Sequence, residues 1–292
     1  MSMNKNLKYP IIFALPALII YFVMFIAPSL GSFYYSLTDW NLGAASVSFI
    51  GLQNFKDMFE DSVLIIAFKN TLIFAVIVTV MQNIIGFGLA LALNEKLFLK
   101  TTLRTIYFLP IVISPLLVGY IFGAIYHPEF GILNQFLHAI GLHGLAEDWL
   151  NDPQIALYSI IGTELWRVSG FAMIIYLAGL QMVPSDCIEQ SKIDGANYWK
   201  RLRHVIFPLI AQSFTVNFIL SLIGCLKVFD IVFALTKGGP GFTTEVFNTY
   251  ILRAFGRGAL GYSTAANLVL FFLITCIAMV LLYFLRKREV EM

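Results

Sequence analysis

Glu189-Gln190-Ser191-Lys192-Ile193-Asp194-Gly195-Ala196, running on through Tyr198-Trp199-Lys200-Arg201 to Phe207-Pro208, is a polar run in an otherwise apolar chain. On each side lies an apolar segment long enough to cross a bilayer, which takes about 20 helical residues. Four cations, Lys192, Lys200, Arg201 and Arg203, put the run on the cytoplasmic side by the positive-inside rule. Ile188, Ile193, Ala196, Tyr198 and Trp199 give it an apolar side, and Asp194-Gly195 offers a break between two short helices. A cytoplasmic loop with its own amphipathic helix reads as a docking surface for another polypeptide.

The surrounding chain is built for lipid. Of 292 residues, 59% are apolar and 12% charged, and the mean hydropathy is +0.82. Soluble domains carry about 25% charged residues, so this composition predicts an all-α, polytopic membrane protein. Cys187, Cys225 and Cys276 suggest neither a disulfide framework nor a metal site. His127, His138 and His143 also lack ligand spacing, so no metal is expected. No Gly-x-x-x-x-Gly-Lys-Ser/Thr occurs, so any energy from ATP must come from another polypeptide.

Working outward from the polar run gives six transmembrane helices. The first is an apolar run from Ile11 to about Leu30. It is longer than a signal-peptide core and lacks a small-x-small cleavage site, so it reads as an uncleaved span. The others fall at about 68–93, 106–126, 155–178, 209–229 and 262–285, the third bent by Pro110 and Pro115. Segments 37–66, 127–153 and 236–261 become outer loops. Twelve of the nineteen Lys and Arg residues then lie in cytoplasmic segments. These are Lys5, Lys8, Lys96, Lys100, Arg104, Arg286, Lys287 and Arg288 together with the four of the polar run. Five, Lys56, Lys237, Arg253, Arg257 and Lys69 at the outer edge of the second span, lie outside, and two, Arg167 and Lys227, lie within spans. The bias predicts both termini in the cytoplasm.

Ionisable groups inside spans mark the candidate working parts. A charge in hydrocarbon costs at least about 2.5–3.5 kcal/mol, so such groups face a cavity or each other. Glu164 with Arg167 and Lys227 with Asp230 are each spaced three apart, on one helix face. Lys227 and Asp230, near the outer end of their span, read as a structural ion pair. Glu164 and Arg167 lie deeper and read either as a structural pair or as part of a substrate pathway.

Glu189, Gly195 and Pro208 keep the spacing of a loop written Glu-Ala-Ala, three residues, Gly, nine residues, Ile-x-Leu-Pro. Val205 and Phe207 stand at the Ile and Leu positions, and Gln190-Ser191 replaces Ala-Ala, keeping residues small or flexible against a partner. Ala178–Pro184, Ile193–Ala196 and Leu235–Pro240 extend the match. On these residues the chain resembles permease subunits of carbohydrate ABC importers, in particular the first permease of maltose, multiple-sugar and glycerol-phosphate systems. The resemblance implies a type I ABC importer permease fold forming a single domain over 1–292. Its accessory first span lies at about 11–36, its core spans at about 68–285 and its ATPase-docking loop at about 184–208. The chain would catalyse no covalent chemistry and hold no cofactor, ATP and Mg being bound by the partner ATPase. Implied partners are a second homologous permease, two ATPase subunits, an extracytoplasmic solute-binding protein, a saccharide and membrane lipid, with no nucleic acid. The implied location is a bacterial or archaeal inner or sole cell membrane.

The resemblance also assigns residues. Glu189 would make an ionic contact in a cleft of the ATPase, Asp194 and Gly195 would form the turn, and Ala196, Tyr198 and Trp199 would pack in the cleft. Counting back from Glu189, the sugar-facing positions fall on Glu164, Arg167, Val168 and Phe171. Counting forward from Pro208, they fall on Ser221, Gly224 and Cys225. A carboxylate and a guanidinium stand where maltose-type sites are neutral and amide-rich. That departure admits glycerol phosphate or an acidic saccharide as an alternative cargo. A secondary carrier driven by an ion gradient is a rival from another class. A membrane enzyme would need a His/Asp/Ser constellation that the spans lack.

Overall fold

The computed structural model describes residues 14–44, 46–95 and 98–287, whose regular structure is helical. One isolated β-bridge joins Thr38 to Phe49. The expected start of the first span at Ile11 and the cations Lys5, Lys8, Lys96 and Arg288 lie outside the described residues. The chain opens with α1 (Leu15–Tyr35, with a π turn at Phe22–Ile26), α2 (Gln53–Glu60), α3 (Ser62–Asn94), α4 (Lys100–Val112) and α5 (Pro115–Ile125). Next come α6 (Ile132–Ala139), α7 (Ala156–Met182), α8 (Ser185–Ile193) and α9 (Tyr198–Leu209, with a π turn at Leu202–Ile206). The remainder are α10 (Ala211–Leu226), α11 (Asp230–Leu235), α12 (Phe247–Gly256) and α13 (Leu260–Arg286).

Helices α1, α3, α7 and α13 are each long and apolar enough to cross a membrane. The pairs α4–α5 and α9–α10 also qualify, bent by 98° and 71°, and bring the spans to six. Pro110 and Pro115 thus do more than curve the third span. Ser114 precedes a proline, which pushes it out of helical geometry (ψ 133°), and α5 starts afresh at Pro115. The fifth span, expected at 209–229, is an elbow that begins at Tyr198, breaks at Ile210 and ends at Leu226. Helices α2, α6 and α12 lie in segments that the sequence suggested only as loops.

Contacts divide the chain into two compact units. The described residues of Met1–Glu60 with Ile251–Leu270 form the first. Helix α1 is exposed along its apolar length, Met24 to 75%, as suits a helix bathed in lipid. Beyond it the Asn54 amide donates to the carbonyls of Ser36 (2.8 Å) and Thr38 (2.9 Å), pinning the turn that follows. The Gly261 N–H donates to the Trp40 carbonyl at 2.8 Å. A Cβ at Gly261 would run into the Thr38 carbonyl, so this approach requires glycine.

The second unit comprises Asp61–Tyr250 and the described residues of Phe271–Met292, with α7 at its centre. Small residues let its neighbours close in, as membrane helices require where apolar burial drives nothing. A Cβ at Gly170 would run into the Tyr107 carbonyl of α4, and one at Gly86 of α3 into Ala172. One at Gly179 would lie 2.8 Å from the Cβ of Ser213 in α10. Ala90, Leu93, Met173, Leu177, Leu180 and Ile210 fill the core around these contacts.

Buried polar groups then lock the three helices. The Tyr176 hydroxyl donates to Asn83 Oδ1 at 2.5 Å, Asn217 Nδ2 donates to the same oxygen at 3.2 Å, and Asn83 Nδ2 donates to the Thr79 carbonyl at 2.7 Å. At the start of α3, Asp61 caps the N–H groups of Val63 (2.9 Å) and Leu64 (3.0 Å) and accepts from the Tyr250 hydroxyl. Asn70 donates to the carbonyls of Thr243 (2.8 Å) and Glu245 (2.9 Å). At the other end Arg104 donates to the Leu93 carbonyl at 3.1 Å, a cation where the helix dipole favours one.

Candidate substrate cavity and docking loop

Glu164, Arg167, Val168 and Phe171 project from one face of α7, because steps of three and four residues return to the same side of a helix. Ser221, Gly224 and Cys225 do the same on α10. Together they line a cavity of about 160 Å³, with Gln82 of α3, Ile111 of α4 and Leu220 completing the wall. All the pathway positions named from the sequence therefore meet at one place. The cavity is smaller than the roughly 300 Å³ at which pockets for drug-sized ligands begin, so the conformation described is a narrow one.

Its polar chemistry is concentrated in few groups. Arg167 clasps Glu164 bidentately, Nε to Oε2 at 2.8 Å and Nη2 to Oε1 at 2.6 Å. The side chains are 16% and 9% exposed, so the pair is largely withdrawn from solvent. Ser221 Oγ is buried and has no hydrogen-bond partner among the described residues. Gln82 is buried and donates to the Val168 carbonyl at 3.4 Å. Sequence reasoning missed Gln82, whose signal was an amide inside an apolar run, where polar groups are costly unless used. Phe171, partly exposed, supplies a ring face.

Lys227 and Asp230 do not form the expected ion pair. Helix α10 stops at Leu226 and α11 starts at Asp230, so the two no longer share a helix face, and both are exposed.

The docking loop is two helices joined by a tight stop. Helix α8 has Asp186 in its first turn and Lys192 in its last, each favoured by the helix dipole. The Ala196 N–H donates to the Ser191 carbonyl (3.0 Å) and the Gly195 N–H to the Lys192 carbonyl (3.1 Å), a Schellman stop. Gly195 sits at φ +74°, where a side chain would be strained. Asn197 then caps the next helix, accepting from the Lys200 N–H at 2.9 Å.

Glu189, Asp194, Gly195, Tyr198 and Trp199 are exposed, and Ala196 is half-buried. The single apolar side expected for the loop is divided. Ile188 packs against the core while Ile193 is 86% exposed, since five residues of helix rotate about 140° back to a different face. Ser191, expected to face a partner, is buried in this chain and donates to the Ile188 carbonyl at 2.7 Å. Trp199, 73% exposed, also lines an apolar groove with Phe87, Tyr176, Phe207 and Phe214.

Elsewhere, the Thr236–Pro240 turn borders a cleft of about 410 Å³ with Tyr126, Asp148 and Asn151. His138 and His143 come together, Nδ1 to Nδ1 at 2.7 Å, although no group of three metal-ligand side chains occurs among the described residues.

This arrangement of broken and unbroken spans around an exposed loop has known counterparts. Residues 82–290 match the family described as the binding-protein-dependent transport system inner membrane component, and the chain belongs to that family. It is 35% identical to the probable starch degradation products transport system permease protein AmyD of Thermoanaerobacterium thermosulfurigenes, over 99% of this chain and 97% of that one. It is 28% identical to the trehalose/maltose transport system permease protein MalF of Thermococcus litoralis, over 98% and 96%. Among solved structures, a bacterial ABC transporter involved in import of the acidic polysaccharide alginate superposes with a TM-score of 0.82 at 25% identity, covering 94% of each chain. The protein is a multi-pass membrane component of an ABC importer with the type I permease fold.

Proposed function

We propose that this chain is the permease subunit of an ATP-driven importer that moves a saccharide into the cell by alternating access. The observation that carries the proposal is the linkage of cavity to loop. Helix α7 carries one wall of the cavity and leads through Val183 and Pro184 into α8, and α9 leads through Ile210 into the other wall. A partner gripping α8 holds both walls. In this reading Glu189 meets the ATPase ionically, Tyr198 and Trp199 pack in its cleft, and Phe171 stacks on a sugar ring beside Gln82 and Ser221. ATP and Mg reside on two ATPase subunits, a second permease completes the pore, and a solute-binding protein delivers cargo from outside. Both termini and the 184–208 loop lie in the cytoplasm of a bacterial or archaeal cell.

The test is ATP hydrolysis by the complete importer in nanodiscs, with its binding protein and a panel of neutral oligosaccharides, uronate-containing oligosaccharides and glycerol phosphates. Stimulation by a saccharide class is the expected result. Uptake that survives ATP depletion and collapses with an uncoupler would overturn it in favour of a secondary carrier.

A further inference from the structure

The cavity holds one cation, and its surroundings decide what that cation does. A free guanidinium facing a cavity would attract carboxylates and phosphates. Arg167 is not free in that sense, because both oxygens of Glu164 already occupy its fork at 2.6 and 2.8 Å. Among the described residues the lining therefore carries one positive and one negative charge, and no other ionic group. Asp230 lies outside the lining and adds to the negative potential around Arg167. An anionic cargo would meet Glu164 beside the guanidinium, and could gain the bidentate, charge-assisted pair only by displacing that carboxylate.

We infer that Glu164 is a specificity-determining residue, a charge filter that neutralises Arg167 and reserves the cavity for uncharged saccharides. The inference rests on the cavity being the saccharide site and deepens that reading. The chemistry left over suits hydroxyl groups. The fork uses two of the five guanidinium N–H groups, so three remain to donate to neutral oxygens. Ser221 Oγ, buried with no partner among the described residues, provides a hydroxyl that both donates and accepts. Phe171 provides the ring face.

The experiment compares ATPase stimulation by neutral and by uronate oligosaccharides of matched length in the complete importer with its binding protein present, each variant being read against the wild-type ratio so that the binding protein's own preference cancels. The wild-type chain is expected to respond to the neutral series. Glu164→Gln keeps the shape and removes the charge, and is expected to shift the anionic-to-neutral ratio towards anions by about tenfold or more. Asp230→Asn, at an exposed position that places no burden on folding, is expected to shift the ratio the same way by less. Phe171→Ala and Ser221→Ala are expected to raise the half-saturating concentration for both series and leave the ratio alone. A wild type that prefers uronates overturns the filter. So does an unchanged ratio in both charge variants, while Phe171→Ala still weakens saccharide response. If none of the four variants changes any saccharide parameter, the cavity is not the site, and the filter falls with it.

Discussion

Asn83 is the residue on which the second unit's helix packing turns. Its Oδ1 accepts from both Tyr176 and Asn217, so one buried side chain joins α3, α7 and α10. Asn83→Ala leaves two buried donors without an acceptor, and an unsatisfied buried group costs about 1–3 kcal/mol. Tyr176→Phe removes one donor and leaves Asn83 partnered by Asn217, so it costs about 0.5–1.5 kcal/mol. Thermal unfolding in detergent is expected to rank Asn83→Ala below Tyr176→Phe and both below wild type. The reverse order would show that Asn83 is not the hub. None of this could be read from the chain, because the partners lie 93 and 134 positions apart and an amide in an apolar run does not name its acceptor. Glu164 and Arg167 were legible for the opposite reason. They sit three apart inside one unbroken helix, whereas Lys227 and Asp230, equally spaced, are separated by a helix end and do not pair.

At the scale of elements, the loop between α7 and α10 is the part whose shape the sequence foretold best. Asp194-Gly195 reads as a stop, and the chain does stop there, with Gly195 at φ +74° and its N–H on Lys192. Gly195→Pro fixes φ near −65° and removes that N–H, so it dismantles the stop and turns α9 away from α8. Uptake is expected to vanish while the protein still inserts and assembles its spans. Normal uptake by that variant would mean the loop's geometry transmits nothing. The breaks at Ser114 and Lys227 were less legible. Pro115 announces a bend, but its 98° depends on where α4 and α5 find packing against α7 and α11. Lys227 to Phe229 contain no glycine or proline, and that break is held by tertiary contacts such as Asn248 Nδ2 donating to the Lys227 carbonyl at 2.8 Å. Where long-range contacts choose the backbone, a local pattern gives no warning.

For the whole molecule, the prediction with the most reach concerns sidedness. Cys187 is half-buried, Cys225 buried and Cys276 exposed, so a background with all three replaced by Ala is needed first. In it, Ser185→Cys and Asn151→Cys put single thiols at exposed sites in the docking loop and in the 127–153 loop. An impermeant thiol reagent is expected to modify the first only from the cytoplasmic face and the second only from the outer face. Modification of both from one side would undo the six-span topology. The molecule also has a mechanical asymmetry. Between Glu164 and Met182, α7 is an unbroken rod of about 27 Å, whereas α9 and α10 meet at an elbow of 71°. Any displacement of α8 therefore travels along one wall as a stiff push and along the other as a rotation about Ile210. The two sides of the cavity receive unequal motion from the same stroke. A single movement at the loop thus alters the gap between the walls, rather than carrying the cavity along as a block.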